Sequence, residues 1–181
     1  MRLRAFFTLL PLALYSTLGA AQALPHDPVL LKRIQQPLRI DGKVEEADWF
    51  RGTPARDFWL NFPTDTARSD LKTEIYMAYD ETTLYIGAIC YSIGNRYIIP
   101  SLRRDFRAGG NDNLTLVFDP FRDRTNAFVF GMNPYGVARE ALIANGGRDF
   151  TDFNENWDNK WVGESFIGEG FWSCELAIPF T

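Results

Sequence analysis

Histidine is nearly absent from the sequence, with His26 the single example among 181 residues. Catalytic triads need a positioned imidazole, and most zinc sites use histidine or cysteine ligands. One histidine near the start of the chain therefore excludes mechanisms that need an imidazole in a core cleft. It also excludes zinc chemistry based on histidine.

Positive charge is scarce as well. The sequence has 19 lysines and arginines against 23 aspartates and glutamates, which gives a net charge of −4. Nucleic-acid binders need a basic face that contacts phosphates, so no nucleic-acid partner is expected. Cysteine is limited to Cys90 and Cys174. These two either form a disulfide or stay as buried free thiols, and we slightly favour the thiols.

A long apolar run occurs at the N-terminus. Residues 1–23 combine two early arginines, an apolar stretch over 5–18 and small residues that end at Ala23. This order is typical of a secretory signal peptide, and the stretch is too short to span a bilayer as a helix. The sequence predicts export, with an N-terminal extension over 24–37 and a folded domain over 38–181. Removal of the signal leaves a net charge of −6.

Alternating apolar and polar residues fill most of the remaining chain, between turns rich in Gly, Pro, Asn and Asp. Short runs of this kind at about 8–12-residue spacing are typical of sandwiches. The sequence therefore predicts an all-β fold, an antiparallel β-sandwich, with one or two helical turns at 44–50. The predicted strands are 71–79, 83–91, 113–119, 127–133, 137–143, 160–167 and 171–178.

The last of these strands turns Trp172 and Cys174 inward and Ser173 and Glu175 outward in this interpretation. Only three residues follow it. A buried strand rarely ends a domain, so we expect a truncated sandwich whose chain continues past Thr181.

Four motifs in this order resemble the family 9 carbohydrate-binding domains. They are Ile40-Asp41-Gly42 followed by Glu45-Glu46 and Trp49, Tyr79-Asp80 followed by Leu84-Tyr85-Ile86, DNLTLVFD at 112–119, and FWSCELAIP at 171–179. The resemblance implies a sandwich of the jelly-roll or DOMON type that binds an oligo- or polysaccharide, and calcium in some members.

Two further segments, 103–105 and 123–127, look like a subgroup of that family. In that subgroup the domain stands at the N-terminus of large outer-membrane-type proteins. The resemblance thus implies a C-terminal outer-membrane domain as a partner. It also implies a location in the periplasm, outer membrane or cell surface of a Gram-negative bacterium.

The residues of the family's sugar site are mostly different in this chain. The stretch 107–111 lacks the tryptophan of the family's aromatic clamp, Thr115 stands for its glutamate, and Gly131 stands for its arginine. The neighbouring Asn133 is kept. The second clamp tryptophan would lie beyond Thr181.

The most unusual stretch is 149–161, where four acids alternate with aromatics. Aromatic rings beside carboxylates and amides suit sugars, which present apolar faces ringed by hydroxyls. We predict Trp157 as a partly exposed platform, and a surface loop with tucked aromatics is the alternative. A basic cluster of Arg103, Arg104 and Arg107 could clamp a carboxylated sugar or a lipopolysaccharide phosphate, or could form an ion-pair network with Asp105 or Asp112. The predicted sugar-binding residues are Trp157, Asn133, Arg103, Arg104 and Asp152.

Calcium would need hard oxygen ligands, which Asp112, Asp119 and Asp123 could supply. Catalysis would need two carboxylates held opposite each other, and nothing in the 149–161 stretch fixes such a pair. We predict a non-catalytic carbohydrate-binding domain of an exported envelope protein, linked to carbohydrate catabolism, or an accessory module of a glycoside hydrolase. The alternative is a domain of an outer-membrane β-barrel protein that acts in docking or assembly and binds no sugar.

Overall fold

Nine strands form two facing sheets over residues 29–180, the part of the chain that the computed structural model describes. The first sheet has the order β1-β2-β3-β9-β8 and the second β4-β5-β6-β7. All pairings are antiparallel except that of β1 with β2. The predicted all-β sandwich is confirmed. The strands are β1 (Lys32–Arg33), β2 (Thr73–Tyr79), β3 (Thr83–Tyr91), β4 (Leu114–Phe118), β5 (Ala127–Met132), β6 (Ala138–Ile143), β7 (Phe153–Asn154), β8 (Val162–Gly168) and β9 (Phe171–Pro179).

The main core lies between the two sheets, where alternate residues of facing strands meet. The first sheet contributes Ile86 and Leu176, both fully buried, and the second contributes Phe130 and Met132. Burial of each such side chain stabilises the fold by roughly 1.5–3 kcal/mol. Because side chains alternate between the two faces of a strand, the intervening residues of the second sheet, among them Arg139, lie on its outer face.

A second core covers the outer face of the first sheet. Residues 34–49 cross this face, and Trp49 packs there at 1% exposure with Tyr76 and Tyr85. Trp49 begins a single turn of 3-10 helix, Trp49–Arg51, which overlaps only the last two residues of the predicted helical segment 44–50. Because residues 34–49, which we call the strap, cover the sheet, both faces of β2, β3 and β9 are buried.

The strap corrects the prediction that Ser173 and Glu175 face solvent. They lie on the expected face of β9, but the strap buries both, at 1% and 0% exposure. Ser173 donates a hydrogen bond to the Gly42 carbonyl. The Glu175 carboxylate accepts bonds from the Asp41 and Gly42 amides, at 2.8 and 3.0 Å, and from Trp49 Nε1 at 3.0 Å. The Ile40-Asp41-Gly42 sequence thus anchors the strap to β9.

The two cysteines are free thiols, the state that we slightly favoured. Ala88 is the register partner of Cys174, so Cys90 and Cys174 are diagonal neighbours on the core face. Burial raises the pKa of the Cys90 thiol to about 12 and that of Cys174 well above its ordinary value. Both thiols are therefore protonated and act as core side chains.

The predicted signal peptide, residues 1–23, lies outside the described residues, as does the start of the predicted extension. Among residues 29–180, no helix is long and apolar enough to cross a membrane.

Candidate functional site

Glu140 fixes two loops beside the inner face of the second sheet. Its fully buried carboxylate forms an ion pair with Arg104 and accepts hydrogen bonds from the Asn159 amide at 3.0 Å and Trp161 Nε1 at 2.8 Å. Its own amide donates to Asp105 Oδ1 at 3.0 Å. The loop before β4 and the loop before β8 are therefore both tied to the middle of β6.

Trp157 lies in the second of these loops and is partly exposed, as predicted. Its ring packs on the inner face, 5.2 Å from the Phe128 centroid and 5.8 Å from that of Phe130. It lines an open apolar cleft of about 460 Å³ between the sheets, which we call the end cleft. Among the other lining residues are Leu84, Phe118, Asp158, Ile178 and Phe180. A cleft with so few polar groups offers little to the hydroxyls of a sugar.

The other predicted sugar-binding residues are not brought together with Trp157 into one site. Arg104 comes nearest, since it bonds Asp158 at 3.3 Å. Asn133 is fully buried, and its side-chain oxygen accepts from the Tyr135 and Val137 amides within a turn.

Asp152 and Arg103 also serve local structure. The Asp152 carboxylate accepts hydrogen bonds from the Asn145 side chain and from the Asp149 and Arg148 amides, and these bonds lower its pKa. Arg103 is exposed, and its amide bonds Ser101 Oγ. The structure therefore does not group these residues with Trp157, and the Asp152 carboxylate is engaged by its own turn.

The three predicted calcium ligands are not brought together either. Asp112 precedes β4 and Asp119 follows it, so the strand separates them by roughly 20 Å. The Asp112 carboxylate accepts a hydrogen bond from the distant Ile98 amide, whereas the carboxylates of Asp119 and Asp123 accept backbone amide bonds within their own turn. Within residues 29–180, no group of three or more His, Cys, Asp or Glu side chains is placed to hold a metal ion.

Trp157→Ala separates packing from binding at the end cleft. We expect a loss of roughly 2–4 kcal/mol in the free energy of unfolding, because the ring contacts two core phenylalanines. Saccharide affinity should change little, because the residue lies away from the pocket described next. Denaturant unfolding measures the first effect and calorimetric titration the second. Phe121→Ala, at an aromatic that is 70% exposed, is the matched control. A stable variant that has lost binding would restore the platform hypothesis.

The outer face of the second sheet carries a different arrangement. In the strand register Thr115 pairs with Gly131, and Gly131 with Arg139, so these three lie side by side. A Cβ atom on Gly131 would be 2.9 Å from Arg139 Cγ and 2.8 Å from the Leu114 carbonyl oxygen. The missing side chain at Gly131 is what allows Arg139 to cross β5. Its Nη1 lies 3.4 Å from Thr115 Oγ1, a long hydrogen bond.

Arg139 thereby brings a guanidinium to the position where the resemblance implies an arginine on the neighbouring strand. The guanidinium carbon lies 5.8 Å from the Phe106 centroid and 5.4 Å from the Phe153 centroid, within the range of cation–π contacts. Burial lowers the pKa of Arg139, whereas Glu155 and Asp105 raise it. An arginine stays protonated at neutral pH under all these influences.

These residues form an open pocket of about 570 Å³, which we call the outer-face pocket. The segment before β4 forms one rim and the segment after β7 the other. Its lining consists of Arg107, Ala108, Gly109, Arg139, Phe153 and Glu155. The pocket combines aromatic surface, hydrogen-bond donors and a carboxylate.

Sequence reasoning missed Arg139, Phe153 and Glu155 as a group. A signal was present, since Arg139 is a charged residue between Val137 and Ala141 on one face of β6. Its pairing with Gly131 depends on the register of β5 and β6, which the sequence did not reveal.

Comparison with known proteins places this architecture among solved structures. Neither the family models nor the curated proteins match the sequence at a significant level. A family 9 carbohydrate-binding module from Caldicellulosiruptor kristjanssonii in complex with glucose has a TM-score of 0.55 and 13% identity, covering 82% of this chain and 69% of that one. Its complex with cellotriose has a TM-score of 0.53 and 13% identity, with coverage of 83% and 67%.

A Bacteroides uniformis protein whose description proposes carbohydrate binding gives a TM-score of 0.58 at 12% identity, covering 83% of this chain and 71% of that one. These similarities agree with the resemblance carried by the four motifs. The chain has the β-sandwich fold of the family 9 carbohydrate-binding modules.

Proposed function

We propose that this chain is a non-catalytic carbohydrate-binding domain that holds a saccharide in the outer-face pocket. The observation that carries the proposal is Arg139, a 7% exposed residue that lines an open pocket and whose guanidinium lies near the rings of Phe106 and Phe153. The pocket's volume lies within the ~300–1,000 Å³ usual for small-molecule sites. The Phe153 ring that lines it can contact the apolar face of a sugar while its charged groups bond hydroxyls.

The fold supports the same function. The solved structures of similar fold include complexes with glucose and cellotriose. In this chain the glutamate and arginine positions implied by the resemblance are Thr115 and Gly131, and both lie beside Arg139 on the outer face of the second sheet.

Binding without catalysis fits the charges in the pocket. Hydrolysis of a glycosidic bond uses two carboxyl groups on opposite sides of that bond. Glu155 is the one carboxylate among the residues that line the outer-face pocket. One acid can orient a sugar through hydrogen bonds but does not form the acid–nucleophile pair.

An envelope location is part of the proposal. Residues 1–23 read as a signal peptide, and the resemblance extends to a subgroup found in outer-membrane-type proteins. A saccharide-binding domain exported in this way would serve the capture of carbohydrate for catabolism.

A glycan array probed with the full chain tests the proposed function. The array carries neutral gluco-, xylo- and manno-oligosaccharides together with oligosaccharides that contain uronic acid. We expect saturable binding to at least one class, lost in Arg139→Ala and retained in Arg96→Ala, which changes an exposed arginine outside the pocket. A blank array with folded protein would overturn the proposal and favour the docking alternative.

A further inference from the structure

Arg139 differs from the buried carboxylates Glu140 and Glu175 in how few hydrogen-bond partners it has. Glu140 and Glu175 each accept three hydrogen bonds from N–H donors, and Arg104 neutralises the first. Within residues 29–180, by contrast, no carboxylate oxygen lies within 4 Å of the Arg139 guanidinium. In that part of the chain its one side-chain hydrogen bond is the 3.4 Å contact with Thr115. Buried charges are usually paired, because removal from water is costly for an isolated ion.

The acids around Arg139 do not supply the missing partner. Asp105 lies 3.6 Å from Arg104 and accepts the Glu140 amide, so its carboxylate is engaged on the other side of the loop. Glu155 is exposed on the rim, farther from Arg139 than an ion pair. Most N–H donors of the Arg139 guanidinium therefore have no protein acceptor within residues 29–180.

The rest of the pocket adds to its positive character. Arg107 lines the same pocket, so its lining carries two guanidinium groups and only one carboxylate. The whole chain, by contrast, has a net charge of −4. A locally positive pocket on a negative protein raises the local concentration of anions and repels cations. Arginine is also well suited to this task, because its planar fork can donate two parallel hydrogen bonds to one anionic group.

We propose that the outer-face pocket selects saccharides that carry a single negative charge, with Arg139 as the anchor of the anionic group and Arg107 as a second contact. This inference rests on the proposed carbohydrate-binding function. The shared chemistry of the ligand is a planar or tetrahedral oxyanion on a sugar ring, either the carboxylate of a uronic acid or a sulfate ester. The anion occupies the donors that the protein leaves unpaired, while Phe153 contacts the ring.

A matched set of disaccharides tests the selection by calorimetric titration of the full chain at low salt. The probes are cellobiose, cellobiouronic acid, which replaces one hydroxymethyl group by a carboxylate, and cellobiose 6′-sulfate. We expect at least one acidic probe to bind tenfold or more tightly than cellobiose, and the difference to shrink as sodium chloride is added. A preference for the uronic acid alone identifies a carboxylate site, and a preference for the sulfate alone identifies a sulfate site.

Variants assign the preference to this pocket. Arg139→Lys keeps the charge but loses the fork, so the preference for the acidic probe should fall about tenfold. Arg107→Ala changes an exposed residue, does not depend on core packing, and should reduce the preference by a few fold. Arg96→Ala is the matched control and should preserve it. Thermal melting confirms that each variant is folded.

The outcomes distinguish the two proposals. Equal affinity for the three disaccharides, or array binding confined to neutral saccharides, would overturn the inference and leave the carbohydrate-binding function standing. An acidic preference that persists in both Arg139→Lys and Arg107→Ala would also overturn it, because the anion would then bind elsewhere. A blank array removes both proposals.

Discussion

Replacing Glu140 by alanine is expected to lower the free energy of unfolding by about 3–5 kcal/mol. The substitution removes a carboxylate that is fully buried and that receives an ion pair and two hydrogen bonds. Trp161 Nε1 and the Asn159 amide are then left without their acceptor, and each unsatisfied donor costs about 1–3 kcal/mol. Denaturant unfolding followed by tryptophan fluorescence measures the loss.

Two further variants show whether the ion pair is the cause. Glu140→Gln keeps the volume and one acceptor oxygen, so its cost should be smaller than that of Glu140→Ala. Arg104→Ala removes the exposed partner, and the double variant should cost less than the sum of the two single changes because they share one interaction. A loss below about 1 kcal/mol for Glu140→Ala would show that water replaces these contacts.

Stability should fall by about 1–3 kcal/mol as the pH rises from about 5 to about 8, because of Glu175. Burial under the strap is the main cause that raises the pKa of this carboxyl from 4.5 to about 7, and Glu46 adds to it. The three N–H donors that bond this carboxylate lower its pKa and so oppose the shift. The folded state thus binds a proton more tightly than the unfolded state. The resulting stabilisation is complete below about pH 4.5 and is lost as the pH rises through about 7.

Glu175→Gln isolates this effect, because glutamine has nearly the same shape and does not titrate. The variant should show a flatter dependence of the unfolding free energy on pH between about 5 and 8 than the parent chain. The pKa of Asp80 and of Asp152 is lowered, so those groups act below this window. An identical slope in the two proteins, or a parent stability that rises with pH, would contradict the assignment.

The strands were predictable because their period-2 pattern is strong. The predicted boundaries of β2 to β6, β8 and β9 agree with the structure within about two residues. The two-residue strands β1 and β7 are too short to leave an alternating pattern, so their pairing is settled by neighbouring strands. Glu175 shows a second limit. Alternation identified its face correctly, but nothing in β9 itself indicates that another segment covers that face.

The site was less predictable than the fold, for a physical reason. Trp157 and its neighbouring acids are conspicuous in the sequence, yet the ring packs toward the core and Asp152 holds a turn. Arg139 is inconspicuous, and its role depends on the absence of a side chain at Gly131 on the adjacent strand. Such a relation exists only once the register of two strands is fixed, and a linear pattern does not contain it.

Chemical-shift mapping tests the outer-face pocket most directly. The ¹H–¹⁵N spectrum of the full chain, including the arginine Nε–H signals, is recorded during separate titrations with cellobiose and cellobiouronic acid. Binding at the outer-face pocket predicts saturable shifts centred on Arg139, Gly109, Phe153 and Glu155, with the Arg139 Nε–H signal among the largest. Shifts centred instead on Trp157 and the end cleft, with Arg139 unmoved, would contradict the account.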